Sequence, residues 1–195
     1  MARKATIHRK TAETDVYIEM DLDGAGEGNL STTVAFLDHM LNLLSRHGLL
    51  DLTVKSKGDT DIDDHHLVED IGICLGEAVK KAVGDKKGIA RYGSATIPMD
   101  ESLCRVVMDI SGRPYLVYHV DFKDQKIGNF ETALFQEFFK AFSDHSGITL
   151  HINIIYGNNS HHIAEAIFKA FAVALRRAVT IYDRIEGILS TKGSL

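Results

Sequence analysis

The chain has little cysteine, no long apolar run and no excess of positive charge, and each shortage excludes a class of protein. Its two cysteines, Cys74 and Cys104, stand far apart with no CxxC pair. That usage fits a reducing compartment and buried thiols, not a disulfide framework or a thiolate metal centre. Nothing approaches the ~18 consecutive apolar residues of a membrane helix. The opening MARKATIHRK lacks the apolar core of a signal peptide. A cytoplasmic protein with no membrane partner is therefore expected. The formal net charge of −5 over 195 residues argues against a general nucleic-acid binder, so basic residues that matter must belong to a local site. With 45% hydrophobic and 25% charged residues, the composition is that of a soluble globular chain, not a disordered one.

Histidine is present in a repeated pattern. Asp64-His65-His66-Leu67-Val68-Glu69 returns as Ser160-His161-His162-Ile163-Ala164-Glu165. In each copy His-His-x-x-Glu follows an N-cap type of residue, Asp64 or Ser160, and leads into helical apolar spacing, which predicts the first turn of a helix. There Glu69 lies one turn beyond His65 and His66, while the two imidazoles diverge by about 100°. One ion cannot comfortably take both rings. The pattern predicts two metals, each motif copy giving one imidazole to each ion and carboxylates completing the shells. Imidazole and carboxylate without thiolate suit manganese, iron or zinc, and open positions favour octahedral manganese or iron. A single His-His pair is more simply a solvated helix start; its recurrence with the same Glu, cap and helix is what argues for ligands.

Along the chain, Thr6 to Arg9 and Val16 to Leu22 alternate as strands, and Asp23 to Gly28 is a glycine-rich turn. Asp21-Leu22-Asp23-Gly24 resembles the nucleophile loop of haloacid-dehalogenase phosphatases, but Ala25 stands where those enzymes want Thr, and a plain hairpin turn is the expected reading. A helix is predicted from Phe36 to Gly48, a strand from Leu50 to Lys57, an acidic loop to Asp64 and the first motif helix to Gly84. The second half predicts strands at Ala90 to Ile97, Cys104 to Ile110 and Tyr115 to Asp121, a helix from Phe130 to Phe142, a strand from Thr149 to Tyr156 and the second motif helix from His161 to Thr180. The offset is 96 residues for His161 against His65 and 98 for Glu137 against His39 and His145 against His47. An internal duplication of roughly 95 residues follows. The fold class is α+β: two duplicated strand-strand-helix-strand-helix halves, about residues 1–86 and 87–195, forming a sheet/helix sandwich within one domain.

The ligand set read from this pattern is His39, His65, His66, Glu69, Glu137, His161, His162 and Glu165. Eight ligands shared by two ions leave each about two open positions, which a closed structural site would not. His47 and His145 pair by the same offset but carry less of the pattern, and His8, His119 and His151, in strands, read as structural. Four basic residues stand out: Arg91, Arg113, Lys169 and Lys192. Lys169 lies two turns beyond His162, and Arg113 sits in the turn Ser111-Gly112-Arg113-Pro114. Each alone is a surface charge; a phosphorylated substrate would give them a common purpose.

Several stretches, Phe36-Leu37-Asp38-His39-Met40-Leu41, Arg46-His47-Gly48-Leu49, Gly58-Asp59, both histidine motifs, Ser111 to Leu116 and the run Ile167-Phe168-Lys169-Ala170-Phe171, closely resemble the imidazoleglycerol-phosphate dehydratase family over essentially the whole chain. The resemblance implies a hydro-lyase of histidine biosynthesis that dehydrates D-erythro-imidazole glycerol phosphate to imidazole acetol phosphate. It also implies two Mn2+ per active site and self-association into a 24-mer with active sites between subunits. By position it implies metal binding at His39, His65, His66, Glu69, His161, His162 and Glu165. Substrate contacts are implied at Glu13, Arg91, Arg113, Lys169, Ser190 and Lys192, the basic ones mainly on phosphate, with His39, His47, His65 and His161 bordering the same substrate. Glu137 stands where some members have His.

The proton lost from the substrate carbon is not acidic, so direct elimination would be slow. An imidazole held by two metals can become imidazolate, expel the adjacent hydroxyl and pass through a diazafulvene, after which the neighbouring proton leaves easily. Glu13 is expected to move protons, with Glu69 and Glu165 mainly as ligands. The segment Ser190 to Leu195 is expected to close over the phosphate. Two other classes use similar residues: four-helix di-iron proteins, with Glu-x-x-His on long helices, and a shell protein in which metals only join subunits.

Overall fold

The computed structural model describes residues 3–195. Both halves are built on period-two apolar alternation. β1 (Lys4–Lys10) and β2 (Thr14–Asp21) form an antiparallel pair whose inward residues, Val16, Ile18 and Met20, are buried. β2 pairs antiparallel with β4 (Asp51–Gly58), and β4 pairs parallel with β3 (Gly28–Ser31), giving the order β1-β2-β4-β3. In the second half β5 (Tyr92–Met99), β6 (Ser102–Asp109), β10 (Thr149–Tyr156) and β7 (Tyr115–His119) repeat that arrangement as β5-β6-β10-β7, with β7 parallel to β10. A small hairpin, β8 (Lys126–Ile127) with β9 (Phe130–Glu131), has no counterpart in the first half.

Each half carries a parallel strand-helix-strand crossover and then its motif helix. α1 (Ala35–Gly48) joins β3 to β4, and α2 (His65–Val83) follows; α3 (Leu134–Ser146) precedes β10, and α4 (Ser160–Val179) follows. α2 packs on β1 and β2, α4 on β5 and β6, and the helices meet each other as α2 with α3 and α1 with α4. The four helices therefore fill the space between two sheets. Both motif helices are buried on most sides, which explains why their apolar residues, Ile71, Leu75, Val79, Ile167, Phe171 and Leu175 among them, exceed a single stripe. Phe138, Phe139 and Phe142 of α3 meet Phe168 and Phe171 of α4 at ring distances of 5.0–5.6 Å. These contacts close the second half, and the packing of α2 on α3 and of α1 on α4 ties the two halves through one core.

The structure departs from the sequence reading in four places. The order in the first half includes an extra strand, β3, hidden at the end of the glycine-rich turn because four mostly exposed residues give no alternating signal. The helix predicted from Phe130 begins at Leu134, since Phe130 and Glu131 belong to the hairpin and Phe130 is buried from there. Ser160 is not a cap: Asn159 caps α4, its side chain accepting from the amides of His161 and His162, while the Ser160 hydroxyl donates to Asp124. Asp64 does occupy the cap position of α2, but its side chain makes no capping bond, and Asp63 accepts from His65 N at 2.8 Å instead.

The glycine-rich turn is settled by its partners. Asp51 Oδ1 accepts from the amides of Ala25, Gly26 and Glu27 at 2.8–3.1 Å, so the amides a phosphate would use are filled from within. Asp21 pairs with Lys4 and caps Asp23 N, which removes the phosphatase reading of this loop. The sheets likewise exclude a four-helix di-iron architecture. Cys74 and Cys104 are free and buried in the core, with desolvation pushing both thiols up to about 12. No helix is long and apolar enough to cross a membrane among the described residues.

The sheet-to-helix spacing of the second half rests on Gly93, where a Cβ would stand 1.9 Å from the Ala174 carbonyl oxygen and 2.8 Å from Ala178 N on α4. Gly93→Ala is expected to force β5 off α4 and cost about 1–3 kcal/mol. Unchanged urea denaturation of the variant would show that this contact does not set the packing.

Candidate active site

The first turns of α1 and α4 bring together His39, His161 and Glu165, whose ligand atoms lie within 4.8 Å of one another. His39 Nε2 is 2.9 Å and His161 Nε2 3.2 Å from Glu165 Oε1, while Lys169 Nζ donates to Glu165 Oε2 at 2.7 Å. The i, i+4 spacing places His161, Glu165 and Lys169 on one face of α4, and the packing of α1 on α4 delivers His39 across it. Glu165 is buried. Burial opposes its ionisation, but Lys169 with His39 and His161 outweighs that effect and holds the carboxyl at about 2, below the ordinary 4.5. The donor set is thus two imidazoles and an ionised carboxylate with no thiolate nearby, which fits a divalent cation that accepts nitrogen and oxygen.

Beside this cluster lies a cavity of about 720 Å³ lined by His39 and His161, Phe36, Thr60, Asp64 and the β8–β9 hairpin. Phe36 meets the His161 ring edge-on at 5.3 Å. Asp64 precedes His65, so the starts of both motif helices open onto this space; burial raises the Asp64 carboxyl, with Asp63 and Glu131 adding to it. His47, on α1, is half-buried and its imidazole is kept low by burial and by the neighbouring Lys169 and Arg176.

The first motif copy is arranged more openly. His65 Nε2 stands 3.9 Å from Glu69, which is 47% exposed. His66 Nδ1 lies 3.0 Å from Asp59 and 3.8 Å from Glu13, and these three form a second group able to hold an ion. His162, the repeat partner of His66, bonds Glu101 instead of any predicted ligand, at 2.7 Å. Glu137 is half-buried on α3 beside Phe138, whose carbonyl a Cβ at Gly72 of α2 would meet at 2.6 Å. α3 packs on α2 as α1 packs on α4. Asp59 and Glu101 were missed by sequence reasoning. Neither is in a histidine motif, although Gly58-Asp59 is among the stretches that resemble the family and Glu101 immediately precedes β6 as Glu13 immediately precedes β2.

The basic residues separate into two places. Arg91, Arg113, Ser190 and Lys192 line one cavity of about 860 Å³ at the far end of α4. Arg91, in the left-handed backbone region at φ 68°, grips Asp109 through Nε at 2.7 Å and Nη2 at 3.0 Å, and donates to Leu189 O at 2.8 Å. Its amide also bonds Ala178 O, which fixes it against the last turn of α4. Lys169 is not in this group.

The imidazoleglycerol-phosphate dehydratase family model matches residues 32–175. The chain belongs to that family. It is 66% identical to the imidazoleglycerol-phosphate dehydratase of Syntrophus aciditrophicus over 99% of this chain and 98% of that protein, and 56% identical to that of Acetivibrio thermocellus over the full length of both. The crystal structure of imidazoleglycerol-phosphate dehydratase from Staphylococcus aureus superposes with a TM-score of 0.84 at 42% identity, covering 92% of this chain and 99% of that one. That of the Pyrococcus furiosus protein gives 0.85 at 38% identity, covering 97% of this chain and all of that one. As an imidazoleglycerol-phosphate dehydratase family member the chain is a carbon–oxygen lyase of histidine biosynthesis, and its mixed α+β fold is that of the family's solved structures.

The depressed Glu165 carboxyl has a consequence for the metal-free protein. A group ionised at about 2 when folded and at its ordinary 4.5 when unfolded stabilises the fold fully above the unfolded value. That contribution fades as pH falls from about 4.5 toward 2. Glu165→Gln is expected to flatten this part of the acid sensitivity in urea denaturation of the metal-stripped chain. Parallel pH profiles for the two proteins would contradict the assignment.

Proposed function

We propose that this chain removes water from D-erythro-imidazole glycerol phosphate to give imidazole acetol phosphate in the cytoplasm, with two manganese ions per site and a 24-subunit assembly whose active sites lie between subunits. The observation that carries the reading is the separation of the two halves of the site along α4. Glu165 and Ala178, against which Arg91 is fixed, are 13 residues apart, or roughly 20 Å along the helix axis. A molecule made of one imidazole ring, three carbons and a phosphate spans at most about half of that. One substrate therefore cannot touch the imidazole cluster and the Arg91–Arg113 cavity of the same chain. A second copy must bring one set to the other.

Two ion positions follow from the duplicated ligands. His39, His161 and Glu165 form one set, and their repeat partners Glu137, His65 and Glu69 the other. His66 and His162 remain, each about 100° around its helix from the first histidine of its motif. Each can serve only the set of the opposite copy, which gives four side chains per ion. Manganese bound there would lower the pKa of the substrate ring N–H and so supply the push that expels the adjacent hydroxyl.

The remaining work falls to the chain itself. Arg113, Lys192 and Ser190, with Arg91 braced on Asp109, can hold the phosphate; a guanidinium and an ammonium in one cavity suit a dianion. Lys169 keeps Glu165 ionised and lies beside His47, whose neutral ring can meet the substrate as an acceptor or a donor. Glu13, exposed near His66, is placed to take the carbon-bound proton once the hydroxyl has left. Ser190, Thr191 and Lys192 wall the phosphate cavity, as a closing tail would.

Metal-stripped protein should gain turnover only with added manganese, mass spectrometry showing a product one water lighter. Glu13→Gln should retain both ions and lose turnover by on the order of 100-fold or more. Arg113→Ala and His161→Ala, each inactive alone, should recover activity when dissociated and reassembled together. Absence of recovery in assemblies shown by native mass spectrometry to be mixed would rule out a site shared between subunits.

A further inference from the structure

Two carboxylates outside the histidine motifs each touch one ring of the repeated pair. His66 Nδ1 is 3.0 Å from Asp59 Oδ2, and His162 Nδ1 is 2.7 Å from Glu101 Oε2. A carboxylate can only accept, so the ring nitrogen facing it carries the hydrogen and Nε2 carries the lone pair. We infer that Asp59 and Glu101 are positioning residues, which fix the tautomer and the direction of His66 and His162 so that Nε2 of each is presented to a divalent cation. The inference rests on the two-ion reading of the site.

The contact is selective for the second histidine of each motif. His65 and His161 have no carboxylate on Nδ1; they turn Nε2 toward the glutamate of their own motif, at 3.9 and 3.2 Å. His66 and His162 have no such internal partner, because the motif glutamate lies on the other side of the ring pair. A ligand not steered from within its motif needs an outside group, and metal-bound histidines ordinarily donate their other N–H to a carboxylate or carbonyl. Asp100, 3.9 Å from His162 Nε2 and 71% exposed, is too distant to compete for the second nitrogen.

The two carboxylates are not copies of one ancestral residue. Asp59 follows β4, and the residue that follows β10 in the same place, 98 positions later, is Gly157. Glu101 immediately precedes β6 as Glu13 immediately precedes β2, an offset of 88. The same contact has thus been reached from different strands in the two halves. In the first half Asp59 holds the ring, which leaves Glu13 at 3.8 Å and exposed for chemistry. In the second half Glu101 holds it and is itself immobilised, Oε1 accepting from Asn158 N, Asn159 N and Ser102 Oγ at 2.9–3.3 Å. Asp59 Oδ1 is buried without a hydrogen-bond partner among the described residues. A carboxylate so placed costs stability, which argues that it is retained for the site and not for the fold.

The test uses the purified full chain stripped of metal and titrated with Mn2+ by calorimetry, with ¹⁵N histidine NMR of the metal-free protein. Asp59→Ala is expected to weaken one of two ions about 10–100-fold and Glu101→Ala the other, each leaving its second ion unchanged. Asp59→Asn and Glu101→Gln should lose less, since an amide oxygen still accepts from Nδ1–H. The NMR should show Nδ1–H rings at His66 and His162 in the parent and mixed tautomers in the alanine variants. Folded variants with parental affinity and tautomers, or equal weakening of both ions by either variant, would overturn the proposal. Should Glu101→Ala misfold, Glu101→Gln keeps the loop amides satisfied, and Asp59, whose side chain bonds no backbone group among the described residues, carries the test. A parent chain that binds no pair of ions would sink the two-ion reading instead, and the tautomer measurement would still decide the positioning.

Discussion

A buried, ionised glutamate governs the arrangement of the site. Removing a carboxylate from water is costly unless donors surround it, and Glu165 finds three, from His39 on α1 and His161 and Lys169 on α4. These bonds can form only if α1 crosses α4 at the right height. The helix layer supplies that crossing because it is clamped between two sheets and closed by the phenylalanine contacts between α3 and α4. Fold and site are therefore coupled: the packing that buries the aromatic core also sets the spacing of the ligand atoms.

The two halves share one strand arrangement but carry different versions of this site. Glu69 occupies the place of Glu165 in the first half, yet it is 47% exposed where Glu165 is 11%. The residue matching Lys169 is Ile73, so Glu69 has no ammonium one turn along its own helix. One half presents a ligand set already drawn together by its own cation, and the other a looser set that a metal would have to gather. The difference follows from single side chains on a shared backbone plan.

The basic residues Arg91, Arg113 and Lys192 lie at the opposite end of α4 from Glu165, where backbone constraints hold Arg91. Arg91 sits in a left-handed conformation, pinned by Asp109, Leu189 and Ala178. That geometry presents Arg113, Ser190 and Lys192 around a common cavity with no nearby imidazole of the same chain. Under the proposed reading, association between copies would be part of the chemistry and not merely of stability.

Much of the plan was legible in the sequence because it is written in short-range periodicity. The alternation of Val16, Ile18 and Met20 marked a strand, and His65 to Glu69 lies within one helical turn. The constant offset between His39 and Glu137 survives in any alignment of the chain with itself. What the sequence could not carry were partners distant along it with no periodic signature. Glu101 meets His162 across 61 residues and Asp59 turns back onto His66 from an irregular loop. Asn159 captured the cap from Ser160 because Asp124 claimed the serine hydroxyl. The sequence by itself determined the layered α+β class and the order of most strands and helices, since these depend on local spacing and on burial of apolar stripes. Only the tertiary structure decided which nitrogen of each imidazole is bonded and how far the Arg91–Arg113 cavity stands from the His39, His161 and Glu165 cluster. Those are distances between separate elements, fixed by how helices pack on sheets.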